Sequence, residues 1–253
     1  MKKDSSTECW NKLGIEWIDK AQNGDFRMYY IMPNTLRLMG DVKGQKVLDL
    51  GCGEGGYSRE LAKKGAIVTS IDCTQACIDY AISKANNENL EIEHCIRNSN
   101  NLSGIENGIF DKILCSMMLM DVEDMIGTIK EVHRVLKPDG QVYISILHPC
   151  FKPPVEHKWS SNGDEKQVVV RDYFHPTEWY GRIGDSENKV IYRHRTMSEY
   201  VKAFTANRLL LIDMDEPIPT EEQIKMSPRI AWLTKIPMFL FMKVIKSNDI
   251  KNQ

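Results

Sequence analysis

The chain of 253 residues lacks the features that would assign it to a membrane, an export route or a polyanionic surface. Its most apolar late stretch, Ile230 to Ile245, is interrupted by Lys235, Pro237 and Lys243, so it is too broken for a membrane span. No apolar run follows Lys2 and Lys3, so the start does not read as a secretory signal. A formal net charge of −2 and a pI near 6.3 provide no overall positive field, and a nucleic-acid partner is not expected. The seven cysteines (Cys9, Cys52, Cys73, Cys77, Cys95, Cys115 and Cys150) are odd in number and scattered, which favours reduced thiols and a cytoplasmic address over a disulfide framework. Repeats, low-complexity tracts and a compact cysteine set are all missing, and no metal site is expected.

What is present is an ordinary folding composition, 42% hydrophobic and 27% charged, enough for a core of substantial size. From residue 46 short β-rich runs alternate with helical ones, the pattern of a mostly parallel sheet with helices on both faces. Strands are expected at Lys46 to Leu50, Ala66 to Ile71, Leu90 to Ile96, Phe110 to Ser116 and Gln141 to Leu147, with helices from Tyr57, Gln75 and Val122 between them. Lys137-Pro138-Asp139-Gly140 is expected to turn the chain into the fifth strand. Later, a helix from Ser198 to Asn207 precedes strands at Leu209 to Met214 and Met238 to Lys246, expected as an antiparallel pair at one sheet edge.

One domain, 1–253, is therefore expected: a helical N-terminal cover (1–40), a core (41–150), a lid-like insert after the fifth strand (151–197) and a C-terminal part of the sheet (198–253). The region from His148 to Arg195 holds four of the six histidines (His148, His157, His175, His194) and a run of aromatics, and a loop-rich insert of that length is more often functional than idle. Within it, Gln167 to Phe174 and Lys189 to Arg193 are expected to pair as a hairpin.

The first strand ends in Val47-Leu48-Asp49-Leu50-Gly51-Cys52-Gly53-Glu54-Gly55-Gly56, a glycine loop opening a helix, where the backbone can approach a ligand closely. Gly51, Gly53 and Gly56 satisfy the dinucleotide pattern G-x-G-x-x-G, a weak signal by itself. Asp49, expected to point to the mouth of the loop, would repel a pyrophosphate and favour a cationic ligand; a turn-ordering role is the alternative. Asp72, 21 residues after Gly51 at the end of the second strand, is placed to accept ribose hydroxyls, or else to cap the next helix.

The segment Val47 to Gly55 resembles motif I of class I S-adenosylmethionine-dependent methyltransferases of the type 11 kind, and Phe110 to Val122 and Glu131 to Gly140 are similar to later family segments in order and spacing. The resemblance spans roughly residues 43 to 150. It implies a Rossmann-like fold, S-adenosyl-L-methionine as cofactor and S-adenosyl-L-homocysteine as product. It implies cofactor contacts at Asp49, Gly51, Cys52, Gly53, Asp72 and Cys73, and at Ser116 and Met117 where cofactor and acceptor meet. After the third strand the family places an acidic residue for the adenine amino group; here Asn98 stands there, beside Ser99, and its carbonyl can accept that bond instead, an ordinary loop asparagine being the alternative. Arg27, in the cover, is a candidate for the cofactor carboxylate.

Methyl transfer needs alignment and, for a protonated nucleophile, a base. His148, directly after the fifth strand, is expected near the transferred methyl as that base, with shaping of the exit turn as the alternative. Asp121, Tyr173, His175, Trp179 and Tyr180 are candidate acceptor contacts; the cluster of Trp159, Tyr173, Phe174, Trp179 and Tyr180 either walls a pocket or forms the insert's own core. The expected activity is methylation of N or O on a small molecule. A non-catalytic cofactor-binding module or partner subunit, an RNA methyltransferase and an NAD-type oxidoreductase are the competing expectations; arsenic methylation is disfavoured by the lack of a late cysteine set.

Overall fold

The computed structural model describes residues 4–151, 155–159 and 166–247, without the side chains of 155–159, 166 and 167; the side chains of His157 and Trp159 thus lie outside the described residues. Strands β1 (Lys46–Leu50), β2 (Ile67–Asp72), β3 (Ile92–Ile96), β4 (Phe110–Ser116) and β5 (Leu136–Leu147) run parallel in the spatial order β3-β2-β1-β4-β5. Both faces of this sheet are covered, and strand alternation divides its side chains between two cores. On β4, Ile113 and Cys115 pack with Ile129 and Val132 of α5 (Met125–Val135) and Phe204 of α6 (Met197–Ala206). Leu114, between them, packs on the opposite face with Leu61 of α3 (Gly56–Lys63) and Met39 of α2 (Met32–Met39). The fold is thus the expected mostly parallel α/β sheet.

Its late edge also follows expectation, because β11 (Phe239–Lys246) pairs antiparallel with both β5 and the outermost strand β10 (Leu209–Asp215). Two expectations are corrected. The Lys137 to Gly140 segment is no separate turn: β5 starts at Leu136, paired with Phe110, and the residues up to Gln141 form an irregularity before the register resumes at Lys112. Lys189–Arg193 (β9) pairs with Glu178–Arg182 (β8), and Lys166–Val170 (β7) pairs with Val155–Trp159 (β6). The β8–β9 connection explains the partner choice, since Gly184 takes φ +62° and the Ser186 hydroxyl accepts from Ile183 N–H, so the nearer strand closes first.

Residues 5–39 are helical apart from a break at Gly24. Helix α1 (Ser5–Asn23) is capped by Asp4, whose carboxylate accepts from Thr7 N–H at 2.7 Å, and bends at Gly14 (φ +31°), against Ala76 of α4 (Gln75–Asn87). A π-helical turn, Phe26–Ile31, then leads into α2 and seats Tyr30 on Phe239 and Phe241 of β11. Helix α7 (Glu221–Met226) and a 3-10 segment (Pro228–Thr234) fill the gap before β11. Among the described residues no helix is long and apolar enough to cross a membrane.

Candidate functional site

A cavity of about 1000 Å³ opens at the carboxyl ends of the parallel strands, where ligands of open α/β sheets bind. Its floor is the glycine loop after β1. Gly51 (φ +76°) and Gly53 (φ +54°) occupy conformations that side chains avoid, and a Cβ on Gly51 would lie 2.9 Å from Met118 Cβ. At Gly53 a Cβ would come within 3.1 Å of the Trp17 indole nitrogen, so the cover leans directly on the loop. Met117, at the end of β4, has φ +55°, a backbone strain of the kind that collects at functional sites.

Buried carboxylates order this floor, one of them paired with two arginines. Glu54, a loop residue only 1% exposed, accepts from Arg27 Nη2 at 2.6 Å and Arg59 Nη2 at 2.9 Å, and its Oε1 also takes Gly56 N–H at 3.1 Å. The N-terminus of α3, which in dinucleotide-binding loops would receive a phosphate, is therefore already occupied by a carboxylate. Asp72 Oδ2 accepts from Gly53 N–H and Oδ1 from Thr74 N–H, both at 2.9 Å, so the end of β2 and the glycine loop are locked together. Burial raises the Asp72 carboxyl above its ordinary range despite these bonds. Asp49 is buried too; burial pushes it up to about 6 against the pull of the Ser58 hydroxyl, which donates to it at 2.6 Å.

The expected cofactor residues mostly converge on this cavity. Gly51, Cys52, Gly53, Asp72, Cys73, Asn98, Ser99, Ser116, Met117 and Arg27 all line it. Asp49 does not, because its carboxyl turns beneath the loop towards α3 rather than to the mouth. Arg27 is held at both ends, by Ala21 O at 2.7 Å and by Glu54, with its guanidinium over the Tyr57 ring. Asn98 gives its amide to the Asp4 carboxylate and to Thr7 Oγ1, so an acidic group from the cover lies beside it. Burial keeps the Cys52 and Cys73 thiols protonated, Cys73 being pushed up to about 12.

On the acceptor side the outcome is mixed. Asp121 and Trp179 line the cavity, and Trp179 stacks on Tyr192, with centroids 5.3 Å apart and planes 20° from parallel. Three expected contacts are absent from the lining. Tyr180 follows Trp179 on β8 and so faces the other way, 60% exposed. His175 sits on an exposed loop, and the Tyr173 hydroxyl is committed to Met197 N–H at 2.9 Å. Phe174 is exposed as well, so among the described side chains of the aromatic cluster Trp179 alone lines the cavity.

His148 is the principal correction. It is 4% exposed and absent from the lining; Nε2 bonds the Glu216 carboxylate at 2.6 Å, and Nδ1 accepts from Cys150 N–H at 3.1 Å. Both ring nitrogens are occupied in the neutral imidazole, and burial lowers its proton affinity further. It ties the exit of β5 to the segment after β10. Glu54, Asp4, Trp17 and Tyr192 were missed by sequence reasoning. Only Glu54 left a signal there, as a carboxylate inside the loop with Arg59 following in the helix. Among the described residues no group of three or more His, Cys, Asp or Glu is arranged to hold a metal ion.

Residues 41–201 match the family model described as "Methyltransferase domain". The ubiquinone biosynthesis O-methyltransferase of Histophilus somni is 32% identical over 154 residues, 57% of this chain and 64% of that protein, so the match spans less than two-thirds of the curated relative. Among solved structures, an S-adenosylmethionine-dependent methyltransferase from Mesorhizobium loti superposes with a TM-score of 0.73 at 23% identity, over 88% of this chain and 98% of the other. The 1,6-didemethyltoxoflavin-N1-methyltransferase of Burkholderia thailandensis, with bound 1,6-didemethyltoxoflavin and S-adenosylhomocysteine, superposes with a TM-score of 0.61 at 16% identity, over 98% and 93%. At these identities the two structures speak for the fold.

Proposed function

The chain belongs to the methyltransferase-domain family, and on that premise we propose that it is an S-adenosylmethionine-dependent methyltransferase acting on O or N of a small molecule. The observation that carries the cofactor half is the floor of the cavity: a glycine loop whose helix N-terminus already holds Glu54, beside Asp72 at the end of β2. A nucleoside with a cationic tail fits that arrangement; a pyrophosphate would find the helix N-terminus already taken by Glu54 and would meet Asp72.

Bound there, S-adenosylmethionine supplies a methyl group already activated on sulfur, which leaves alignment and water exclusion to the protein. Asp72 accepts the ribose hydroxyls, and Cys73, Ser99 and Asn98 with Asp4 flank the adenine end. Gly51, Cys52 and Gly53 let the backbone approach the cofactor, Ser116 and Met117 border its reactive end, and Arg27 binds its carboxylate. Asp49 acts from below the loop by holding Ser58 and adding negative potential. Trp179 offers an apolar face to the acceptor.

The small-molecule half is supported by the cavity's enclosure. Helix α1 and the β8–β9 hairpin meet over it, with Glu16 accepting from Glu187 N–H at 2.9 Å and from the Asn188 amide at 2.5 Å, and with a Lys20–Asp185 ion pair beside them. S-adenosylhomocysteine release measured against a panel of hydroxyl- and amine-bearing small molecules, with bulk tRNA as a separate arm, tests it. Turnover with members of the panel is expected; turnover with tRNA alone would overturn the acceptor assignment.

A further inference from the structure

The loop after β4 carries a carboxyl group that the fold does not use. Asp121 is 4% exposed and lines the cavity, and its Oδ1 is buried with no hydrogen-bond partner. Two arginines act on its charge, yet their hydrogen bonds go to other groups. Arg193 Nη1 donates to Asp121 O at 2.5 Å, while its Nε goes to Glu178 at 2.8 Å and its Nη2 to Ser5 Oγ at 2.6 Å. Arg195 donates to Leu119 O at 2.9 Å and Val122 O at 2.6 Å. The loop is thereby clamped, Glu123 takes the Ser5 N–H and hydroxyl, Asp124 takes Gly127 N–H, and the Asp121 carboxyl is left over.

A buried, unpaired carboxyl costs stability, and a fold with two guanidiniums at hand could have paired it. Retaining it against the cavity makes sense where a ligand completes it. Asp121 shares the cavity with the glycine loop, and its own loop reaches that loop, since Met118 is the residue a Cβ on Gly51 would strike. The ionisable groups around Asp121 are Tyr192 and Arg193 of β9, Arg195 after it, Tyr200 of α6 and Glu123 in its own loop. None of these gives its carboxylate a hydrogen bond.

Resting on the activity proposed above, we propose that Asp121 is the counter-charge to the cofactor's sulfonium and the proton acceptor for the methyl acceptor's O–H or N–H. With no cation bound, burial holds the carboxyl well above the usual carboxylate range, against the pull of Arg193 and Arg195. A positive charge arriving in the same cavity favours the ionised form. In the transfer, the acceptor's X–H proton passes to the Asp121 carboxylate and the X lone pair forms the bond to the methyl carbon. The carbon–sulfur bond breaks with its electron pair going to sulfur. A carboxylate and a sulfonium become a neutral acid and a neutral thioether, so the separated charges are removed inside a low-dielectric site.

The pair S-adenosylmethionine and S-adenosylhomocysteine differs in that one charge and needs no identified acceptor. Calorimetric titration of each at neutral pH, in phosphate and in Tris, reads the protons released on binding. More proton release is expected with S-adenosylmethionine than with S-adenosylhomocysteine, with the difference lost in Asp121→Asn, kept in Asp121→Glu, and the S-adenosylmethionine preference falling several-fold in Asp121→Asn. Equal release from the wild-type protein, or an unchanged difference in Asp121→Asn, would overturn the role of Asp121 while leaving the cofactor assignment intact. Failure of both ligands to bind the wild-type protein would overturn the proposed activity and this role with it.

Discussion

Along the glycine-loop wall of the cavity, and in the Asp49 pair beneath it, many of the polar ties are short in sequence, with Arg27 and Asp4 added from the cover. Glu54 holds Gly56 and Arg59, Asp49 holds Ser58, and Asp72 holds Thr74 and Gly53. The wall contributed by residues 171–195 is tied to partners far away: Arg193 to the carbonyl of Asp121 and the hydroxyl of Ser5, Asn188 to Glu16, Tyr173 to Met197. The first wall is built mainly by β1, β2, the glycine loop and α3, with the cover leaning on it through Arg27 and Trp17. The second exists only after the cover and the insert have docked on each other. On the proposed activity, binding of the cofactor would rest mainly on the local framework, and selection of the acceptor on the long-range assembly.

If the two walls divide the work in this way, damage to the local one should cost the protein its cofactor. Asp72→Ala removes an acceptor for two ribose hydroxyls, each worth roughly 1.5–3 kcal/mol when the acceptor is charged. Calorimetry should report S-adenosylhomocysteine binding weaker by more than about 100-fold. Binding within a few-fold of wild type would remove Asp72 from the cofactor site.

Asp49→Asn probes the same wall from beneath. The folded-state carboxyl is raised above its ordinary value, so its protonated form stabilises the fold at low pH, and that stability is lost as pH rises through about 6. A tenfold gain in proton affinity on folding corresponds to about 1.4 kcal/mol, so the variant should be more stable at pH 8 by up to roughly 3 kcal/mol, with no gain at pH 4. Urea denaturation at the two pH values reads this directly; destabilisation at pH 8 would show that the charge under the loop is favourable.

The acceptor wall should respond differently. Trp179→Ala is expected to raise the acceptor KM about 10-fold, from loss of a stacking face, with the cofactor Kd unchanged. A matching loss of cofactor affinity would mean that the two walls are not separable. The smallest effect on turnover is expected for His148→Ala. It should lower stability by about 1 kcal/mol through loss of the Glu216 bond and change kcat by less than about two-fold. A large fall in kcat at unchanged stability would return His148 to the mechanism.

The same division explains what could be read from residues alone. The strands, the glycine loop and the position of Asp72 and Cys73 at the end of β2 were legible because hydrophobic period and turn chemistry act over a few residues. His148 was misread because its place at the end of β5 is local, while the partner that captures it, Glu216, lies 68 residues on. Tyr180 was grouped with Trp179 because both are aromatic, though adjacent strand positions face opposite ways. The pairing of β9 with β8 rather than with a strand near Gln167 was decided by the turn at Gly184 and Ser186, which composition did not single out. Asp4 could be recognised beside Asn98 only once α1 was seen to fold over the end of β3.

Cofactor identity underlies every other assignment, and thermal shift with S-adenosylhomocysteine against NAD isolates it from the question of the acceptor. A saturable rise in Tm with S-adenosylhomocysteine, no rise with NAD, and loss of the rise in Asp72→Ala are predicted. A rise with NAD and none with S-adenosylhomocysteine would contradict that identity.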